Sequence, residues 1–168
     1  MIVTQVSVRP GEPGDLPALT VLYNHYVEHT HVTFDTEPFT VEQRQAWFSH
    51  YAATGRHRLL VAVVAQEVVG YATSGKFRDK AAYDTSVETT VYVRDGGAGG
   101  GVGSALYTAL FDALRGEDVH RAYAGIALPN DASIALHRRF GFTDVGTYRE
   151  VGRKLGRYWD VTWLEKSL

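Results

Sequence analysis

The feature that most constrains this chain is a glycine-rich run at residues 94–104 (RDGGAGGGVGS), which stands between a strand pattern and a helix pattern. Six of the eight residues from 96 to 103 are glycine. Glycine lets the backbone turn tightly and brings its N–H groups close to a ligand. The helix that follows adds unpaired N–H donors and the positive end of its dipole. The run therefore predicts an anion site, most naturally one for phosphate groups.

Two common phosphate-binding motifs do not fit the run. In G-x-G-x-x-G counted from Gly97 the sixth position is Val102, and counted from Gly99 it is Ser104. No Lys-Ser or Lys-Thr pair follows the last glycine, so the P-loop motif also fails. A plain surface loop stays open as the alternative to a phosphate site.

The patterns on either side of the run mix helices and strands. Apolar side chains three and four positions apart predict a helix over residues 16–27, with Asp15 as its cap, and Thr40 with Gln43 reads as a capping box before a second helix. Residues 59–65 and 68–74 form a predicted hairpin joined at residues 66–67. Further elements are predicted as a strand at 87–93, a helix at 102–114, a strand at 121–128, a short helix capped by Asn130 or Asp131, and strands at 142–151 and 158–164. This order predicts an α/β or α+β layer fold.

Length and composition narrow the function classes. A length of 168 residues predicts one domain. A net charge of −2 argues against electrostatic binding to nucleic acid or to an anionic membrane over a broad surface. The chain has no cysteine, which excludes disulfides, thiolate metal sites and a cysteine nucleophile. Neither a signal peptide nor an apolar run long enough to span a bilayer is evident. We expect a cytoplasmic protein without a nucleic acid or membrane partner.

Several segments together resemble the GNAT superfamily of acetyl-CoA-dependent N-acetyltransferases. They are residues 87–93 (VETTVYV), the glycine-rich run, residues 127–137 (ALPNDASIALH) and residues 140–142 (FGF). Residues 33–38 and 151–157 are similar to the phosphinothricin and methionine sulfone acetyltransferase group within it. The resemblance extends from about residue 9 to residue 164. It implies a GNAT fold, in which a mixed, mostly antiparallel sheet is flanked by helices, and a homodimer.

The resemblance also implies acetyl-CoA as co-substrate and no metal. Backbone groups of Val91, Tyr92 and Val93 would pair with the pantetheine arm, and Asn130 and Ser133 would lie beside it. The pyrophosphate would be held by Gly99, Gly100, Gly101, Val102, Gly103 and Ser104. One position departs from the family, because Ala98 stands where Arg or Gln is usual. Backbone N–H groups form such a cradle, so we expect binding to survive this change.

Two catalytic residues are predicted. The family's glutamate falls on Glu88, which would accept a proton from the substrate amine, directly or through one water. Strand spacing alone favours a solvent-facing glutamate, and it is the resemblance that favours the catalytic role. His137 stands where many family members have a tyrosine, and it would return a proton to the departing thiolate. The alternative for His137 is a histidine that packs or caps a surface helix.

The substrate is expected to be a small amino-acid-like amine. The family's substrate loop resembles residues 77–80, so Arg78 and Lys80 would recognise an anionic group, a task that suits a cationic side chain. Phe34 and Tyr83 would line the pocket, and Thr90 shares the face of Glu88 by period-2 spacing. A solvated loop is the alternative for the charged residues.

Other functions stay open in the sequence. A CoA-binding or sensing module without catalysis would also need the glycine-rich run, and a GNAT enzyme could act on a different amine. Residues 25–29 (HYVEH) spell H-x-x-E-H, a pattern of zinc hydrolases. The apolar stripe of that helix places both histidines at its solvent margin, so we expect no metal there.

Overall fold

A seven-stranded sheet organises the chain in the computed structural model, which describes residues 5–96 and 100–168. The strand order is β1-β2-β3-β4-β5-β7-β6, and every neighbouring pair is antiparallel except β4 and β5. The strands are β1 (Ser7–Pro10), β2 (Arg58–Val64), β3 (Glu67–Lys76), β4 (Ser86–Val93), β5 (Arg121–Ala127), β6 (Thr143–Lys154) and β7 (Arg157–Ser167). The α-helices in the described ranges are α1 (Leu16–His29), α2 (Val41–Phe48), α3 (Val102–Leu114) and α4 (Asp131–Arg139). The predicted mixed, mostly antiparallel fold is confirmed.

Local sequence signals explain most element ends. The capping box before α2 is present, since the Gln43 N–H donates to Thr40 Oγ1 at 3.2 Å and the Thr40 N–H donates to Gln43 Oε1 at 2.7 Å. Asp15 does not cap α1 with its side chain; its carboxylate accepts from both terminal nitrogens of Arg9 at 2.7 and 2.8 Å. The Asp15 carboxylate therefore pairs with residues that precede it, Arg9 and the Glu12 N–H, instead of capping α1 as the sequence predicts.

The hairpin of β2 and β3 differs by one residue from its prediction. Its turn is at residues 65–66 rather than 66–67, because Ala65 and Gln66 both have positive φ (48° and 68°) and Glu67 already pairs with Val64. Two consecutive residues with positive φ are the signature of the type I′ turn, whose twist matches the hairpin.

The two faces of the sheet are covered by different helices. On one face, α3 packs its buried Leu106 and Leu110 against Val87 and Ala122 of the central strands. On the other, α1 and α2 cover Val61 and Tyr71. Each face of β4 therefore has a distinct environment, because successive side chains of a strand point to opposite sides.

The parallel strands β4 and β5 separate partway along their length. Their pairing extends only from Ser86 opposite Arg121 to Glu88 opposite Tyr123. Beyond Glu88 the strands continue to Val93 and Ala127 without pairing to each other. This separation opens the sheet at its centre and creates the site described next.

Candidate active site

A cavity of about 530 Å³ fills the space where β4 and β5 have separated, and we call it the interstrand cavity. The ends of α3 and α4 close it. It is lined by most of the residues predicted to bind the cofactor, together with two predicted for catalysis or substrate: Val91, Tyr92, Val93, Gly101, Val102, Gly103, Ser104, Asn130, Ser133, Thr90 and His137. Gly100 is described and exposed but is not part of the lining, and Gly99 and Ala98 lie outside the described residues.

The start of α3 forms one end of the interstrand cavity. Gly101 caps the helix with a φ of +75°, a left-handed conformation that glycine adopts without a steric penalty. The first intrahelical bond runs from the Ala105 N–H to the Gly101 carbonyl at 2.9 Å. The N–H groups of the first turn, from Val102 to Ser104, therefore have no partner within the helix and can bind an anion in the cavity.

Arg139 is a lining residue that the sequence analysis missed. It lies in the last turn of α4, and its Nη1 donates to Ser104 Oγ at 3.0 Å. The contact brings a positive charge to the first turn of α3. One sequence signal could have indicated Arg139: it lies in the basic last turn of the helix whose first residue is preceded by Asn130, a predicted site residue.

Asn130 lies at the start of α4, and His137 lies in its last turn. Asn130 caps the helix as predicted, accepting from the Ser133 N–H at 3.2 Å. His137 is only 2% exposed, and its Nδ1 lies 2.7 Å from the Ser133 carbonyl oxygen. Because a carbonyl only accepts, Nδ1 carries the proton, and Nε2 accepts from the Tyr107 hydroxyl at 2.7 Å. Burial lowers the pKa of His137, so the ring is neutral at pH 7.

Glu88 lies at the last paired position before β4 and β5 separate. Its side chain is half-buried on the sheet face that also carries Thr90 and Tyr92 and is covered by α1 and α2; we call this the Glu88 face. No hydrogen bond from a described residue holds the carboxylate. Burial raises the pKa of Glu88, and the nearby charge of Arg78 partly opposes that rise.

Arg78 lies close enough to Glu88 for its charge to act on that carboxylate, and Tyr83 packs beside Arg78. The Arg78 guanidinium is 5.0 Å from the ring of Phe77 and 5.9 Å from the ring of Tyr83. Phe77 in turn stacks on Tyr123, the cross-strand neighbour of Glu88, at 4.5 Å. The exposed loop at residues 77–80 is thus anchored by an aromatic contact on the strand beside Glu88.

Lys80 and Phe34 are placed elsewhere. Lys80 is exposed before a short 3-10 turn and contacts neither the cavity nor Glu88. Phe34 is 37% exposed and packs against the backbone of Gly152 in β6, where an added Cβ would come within 2.1 Å of its ring. Neither residue lines the interstrand cavity.

The H-x-x-E-H residues do not form a metal site with their neighbours. The rings of His25 and His29 are 5.2 Å apart, and His25 Nε2 lies 3.7 Å from Asp95. In the described part of the chain, no group of three or more His, Cys, Asp or Glu residues is arranged to hold a metal ion.

Comparisons with known proteins agree with this architecture. Residues 8–163 match the family described as "Acetyltransferase (GNAT) domain". The chain is 63% identical to a phosphinothricin N-acetyltransferase of Streptomyces coelicolor, over 98% of this chain and 97% of the relative. It is 38% identical to an L-methionine sulfoximine/L-methionine sulfone acetyltransferase of Pseudomonas aeruginosa, over 96% of this chain and 94% of the relative.

A solved structure shares the fold and contains the cofactor. The Sinorhizobium meliloti phosphinothricin acetyltransferase in complex with acetyl-CoA superposes with a TM-score of 0.92 at 29% identity, covering 97% of this chain and 88% of that one. A sheet opened between β4 and β5, with a glycine-capped helix at the opening, defines an acyltransferase scaffold. The chain belongs to the GNAT acetyltransferase family and is an N-acetyltransferase. Within residues 5–96 and 100–168, no helix is long and apolar enough to cross a membrane.

Proposed function

We propose that this enzyme transfers the acetyl group of acetyl-CoA to the α-amine of a small amino acid of the phosphinothricin, methionine sulfone or methionine sulfoximine type. One observation carries the proposal. Glu88, a half-buried carboxylate with no hydrogen-bond partner among the described residues, lies at the last paired position of β4, next to Thr89 and Thr90 of the cavity lining.

The interstrand cavity fits acetyl-CoA. Its free N–H groups at the start of α3 suit the pyrophosphate, and Arg139 supplies a positive charge to the same place. The backbone of Val91 to Val93 borders the cavity where an extended pantetheine arm would lie. One edge of this segment pairs with β3, and the Val93 carbonyl accepts from the Tyr26 hydroxyl, so we assign the backbone groups left on the edge that faces β5 to the arm.

Glu88 acts as the general base, directly or through one water. An ammonium has no free electron pair, so the amine must lose a proton before its nitrogen attacks the thioester carbonyl. The raised pKa of Glu88 suits this task, because a stronger base takes the proton from the amine more readily.

Transfer is direct, within a ternary complex. The amine nitrogen forms a bond to the acetyl carbon, and the carbon–sulfur bond breaks. A backbone N–H of residues 91–93 stabilises the negative charge that develops on the carbonyl oxygen. The thiolate then takes a proton from His137 or from water. Both ring nitrogens of His137 are engaged, Nδ1 with the Ser133 carbonyl and Nε2 with the Tyr107 hydroxyl, so His137 can supply this proton only if one of these contacts opens, and otherwise water supplies it.

The reaction is tested by following free CoA thiol with a thiol-reactive dye. The chain has no cysteine, so the protein adds no background. Methionine sulfone, methionine sulfoximine and phosphinothricin are compared with an aminoglycoside, a polyamine and a peptide amine. We expect turnover with the first three alone. Turnover confined to the other amines would overturn the substrate class, and acetyl-CoA binding without any turnover would favour a binding or sensing module.

We also propose that the enzyme is a cytoplasmic homodimer that binds neither nucleic acid nor membranes. The antiparallel pair β6 and β7 exposes a group of large apolar side chains, each 55–57% exposed: Val145, Tyr148, Val151, Leu155 and Tyr158. Such a patch suits a subunit interface. Light scattering should give twice the chain mass, and a monomer at micromolar concentration would contradict the dimer.

A further inference from the structure

Arg44 of α2 is a buried cation on the Glu88 face. It is 5% exposed, and its guanidinium carbon lies 3.7 Å from the centre of the Trp47 ring and 4.4 Å from that of Tyr23. These aromatic faces attract the positive charge, but they accept no conventional hydrogen bond. The arrangement therefore satisfies the charge of Arg44 and leaves Nε and Nη2 unpaired, although the Tyr71 hydroxyl lies close enough to share a side-chain hydrogen bond with the guanidinium.

Two guanidinium nitrogens of Arg44 have no acceptor. Nε and Nη2 are buried, and no described residue offers either of them a hydrogen bond. Together these two nitrogens form one edge of the planar group, and their N–H bonds point in the same direction. This is the edge with which arginine binds two oxygens of one group. Buried polar groups are nearly always paired, so an empty edge calls for a ligand.

Arg44 and Glu88 are connected along one sheet face. Trp47, which stacks on Arg44, contacts Tyr51 at a ring distance of 5.3 Å. The Tyr51 hydroxyl lies 3.6 Å from the Cβ position of Gly75, the cross-strand neighbour of Glu88. Tyr51 thus separates the empty arginine edge from the catalytic carboxylate.

Arg78 is the cation nearest to the Glu88 end. Its charge acts directly on Glu88, whereas Arg44 lies beyond Tyr51. In an amino acid the carboxylate is one carbon away from the α-amine, while a side-chain head group is several carbons further. The two cations therefore match the two polar ends of such a substrate in order along the face.

We propose that the Nε–Nη2 edge of Arg44 binds the polar head of the substrate side chain, a tetrahedral centre with two acceptor atoms such as a phosphinate, sulfone or sulfoximine. Arg78 then binds the α-carboxylate while Glu88 faces the α-amine. This assignment rests on the proposed function and makes Arg44 its specificity-determining residue. A thioether side chain of the same length offers no such pair of acceptors.

The test compares methionine sulfone with methionine, which lacks both sulfone oxygens. We expect Arg44→Met to lower kcat/KM for methionine sulfone by at least about tenfold, the loss typical of a charged hydrogen-bonded pair. The value for methionine and the KM for acetyl-CoA should stay unchanged. Arg78→Met is the matched control, because it should lower kcat/KM for both amino acids by the same factor.

Arg44→Lys covers the case in which Arg44→Met does not fold. Lysine keeps the charge near the aromatic rings but has no planar edge, so the preference for the sulfone should fall here as well. Equal losses on both amino acids, or an unchanged preference in a folded variant, would overturn the assignment. If the wild-type enzyme turned over neither amino acid, the proposed function would fail before this inference was tested.

Discussion

The interstrand cavity and the Glu88 face adjoin the same strand, β4, yet they are built in different ways. The cavity presents backbone N–H groups and small residues at the start of α3, where Gly101 is the N-cap. The Glu88 face presents acidic, basic and aromatic side chains, among them Glu88, Arg78 and Arg44.

This difference explains where the chain tolerates change. If the cavity binds phosphate through backbone N–H groups as proposed, we expect binding to survive the replacement of the family's usual Arg or Gln by Ala98. The Glu88 face depends on individual side chains, since each charged group has one chemical task. We therefore expect substitutions at the start of α3 to alter the KM for acetyl-CoA, and substitutions on the Glu88 face to alter kcat/KM for the amino acid.

The largest effect is expected from Glu88→Gln, which removes the base and leaves the cavity intact. A general base contributes typically about 10²–10⁴-fold, so kcat/KM for the amino acid should fall by that amount while the KM for acetyl-CoA stays unchanged. Glu165→Gln is the matched control, because Glu165 is the other cross-strand neighbour of Tyr123. A similar loss in both variants would point to damage to the strands rather than to a lost base.

The pH dependence of Glu88 can be separated from folding. The base works when deprotonated, so kcat/KM should rise with pH through a pKa above the usual glutamate range, and this limb should vanish in Glu88→Gln. Because the pKa of Glu88 is higher in the folded state than in the unfolded state, its ionisation lowers the free energy of unfolding as the pH rises above the unfolded pKa. Glu88→Gln should then unfold at the same temperature as wild type or higher at pH 7. A lower melting temperature would contradict the buried-carboxylate account.

The next effect is expected at the cavity. Gly101→Val places a branched side chain at a φ of +75°, and Gly55→Val does the same at +85° far from the site, with open space around both glycines. The two variants should lose similar stability because the backbone strain is the same. Only Gly101→Val should raise the KM for acetyl-CoA. Because the start of α3 would shift to relieve roughly 1–2 kcal/mol of strain, we expect the KM to rise by about tenfold. If the KM for acetyl-CoA were the same in both variants, Gly101 would not be part of the phosphate-binding site.

The smallest effect on catalysis is expected from Asp15→Asn, which lies outside both regions. Arg9 and the Glu12 N–H keep the pKa of Asp15 below its usual range, so its ionised form stabilises the fold above the unfolded pKa of about 3.9. This contribution is lost as the pH falls through the lower folded value. We expect a loss of about 1–2 kcal/mol at pH 7 by denaturant titration, with kinetic constants unchanged.

Asp118→Asn provides the comparison for Asp15. It removes a carboxylate that is 77% exposed and pairs with Arg56, so it should cost under about 1 kcal/mol. A loss as large as that of Asp15→Asn would mean that burial does not distinguish the two ion pairs.

The sequence predicts features that depend on neighbouring residues. The capping box of Thr40, the Asn130 cap, the alternation of β4 and the helix after the glycines are all local patterns, and the structure confirms them. The resemblance to the GNAT superfamily adds the chain's family, which the comparisons confirm.

Features that need contacts between distant segments were missed. Arg139 reaches Ser104 across 35 positions of sequence, and the Tyr107 hydroxyl reaches His137 across 30. Arg44 reads locally as an ordinary polar residue of α2, and only the packing of Tyr23 and Trp47 against it shows that it is buried. A sequence pattern gives the face of a helix but does not say which aromatic side chains will close over it.

The central claim is that the α3 end of the interstrand cavity and the Glu88 face act separately. Calorimetric titration of acetyl-CoA into wild type, Glu88→Gln and Arg44→Lys tests it most directly. We predict dissociation constants within about twofold of one another, although kcat/KM for methionine sulfone falls by at least about tenfold in both variants. Dissociation constants that rise in parallel with the lost activity would contradict the claim, because the Glu88 face would then be part of the acetyl-CoA site.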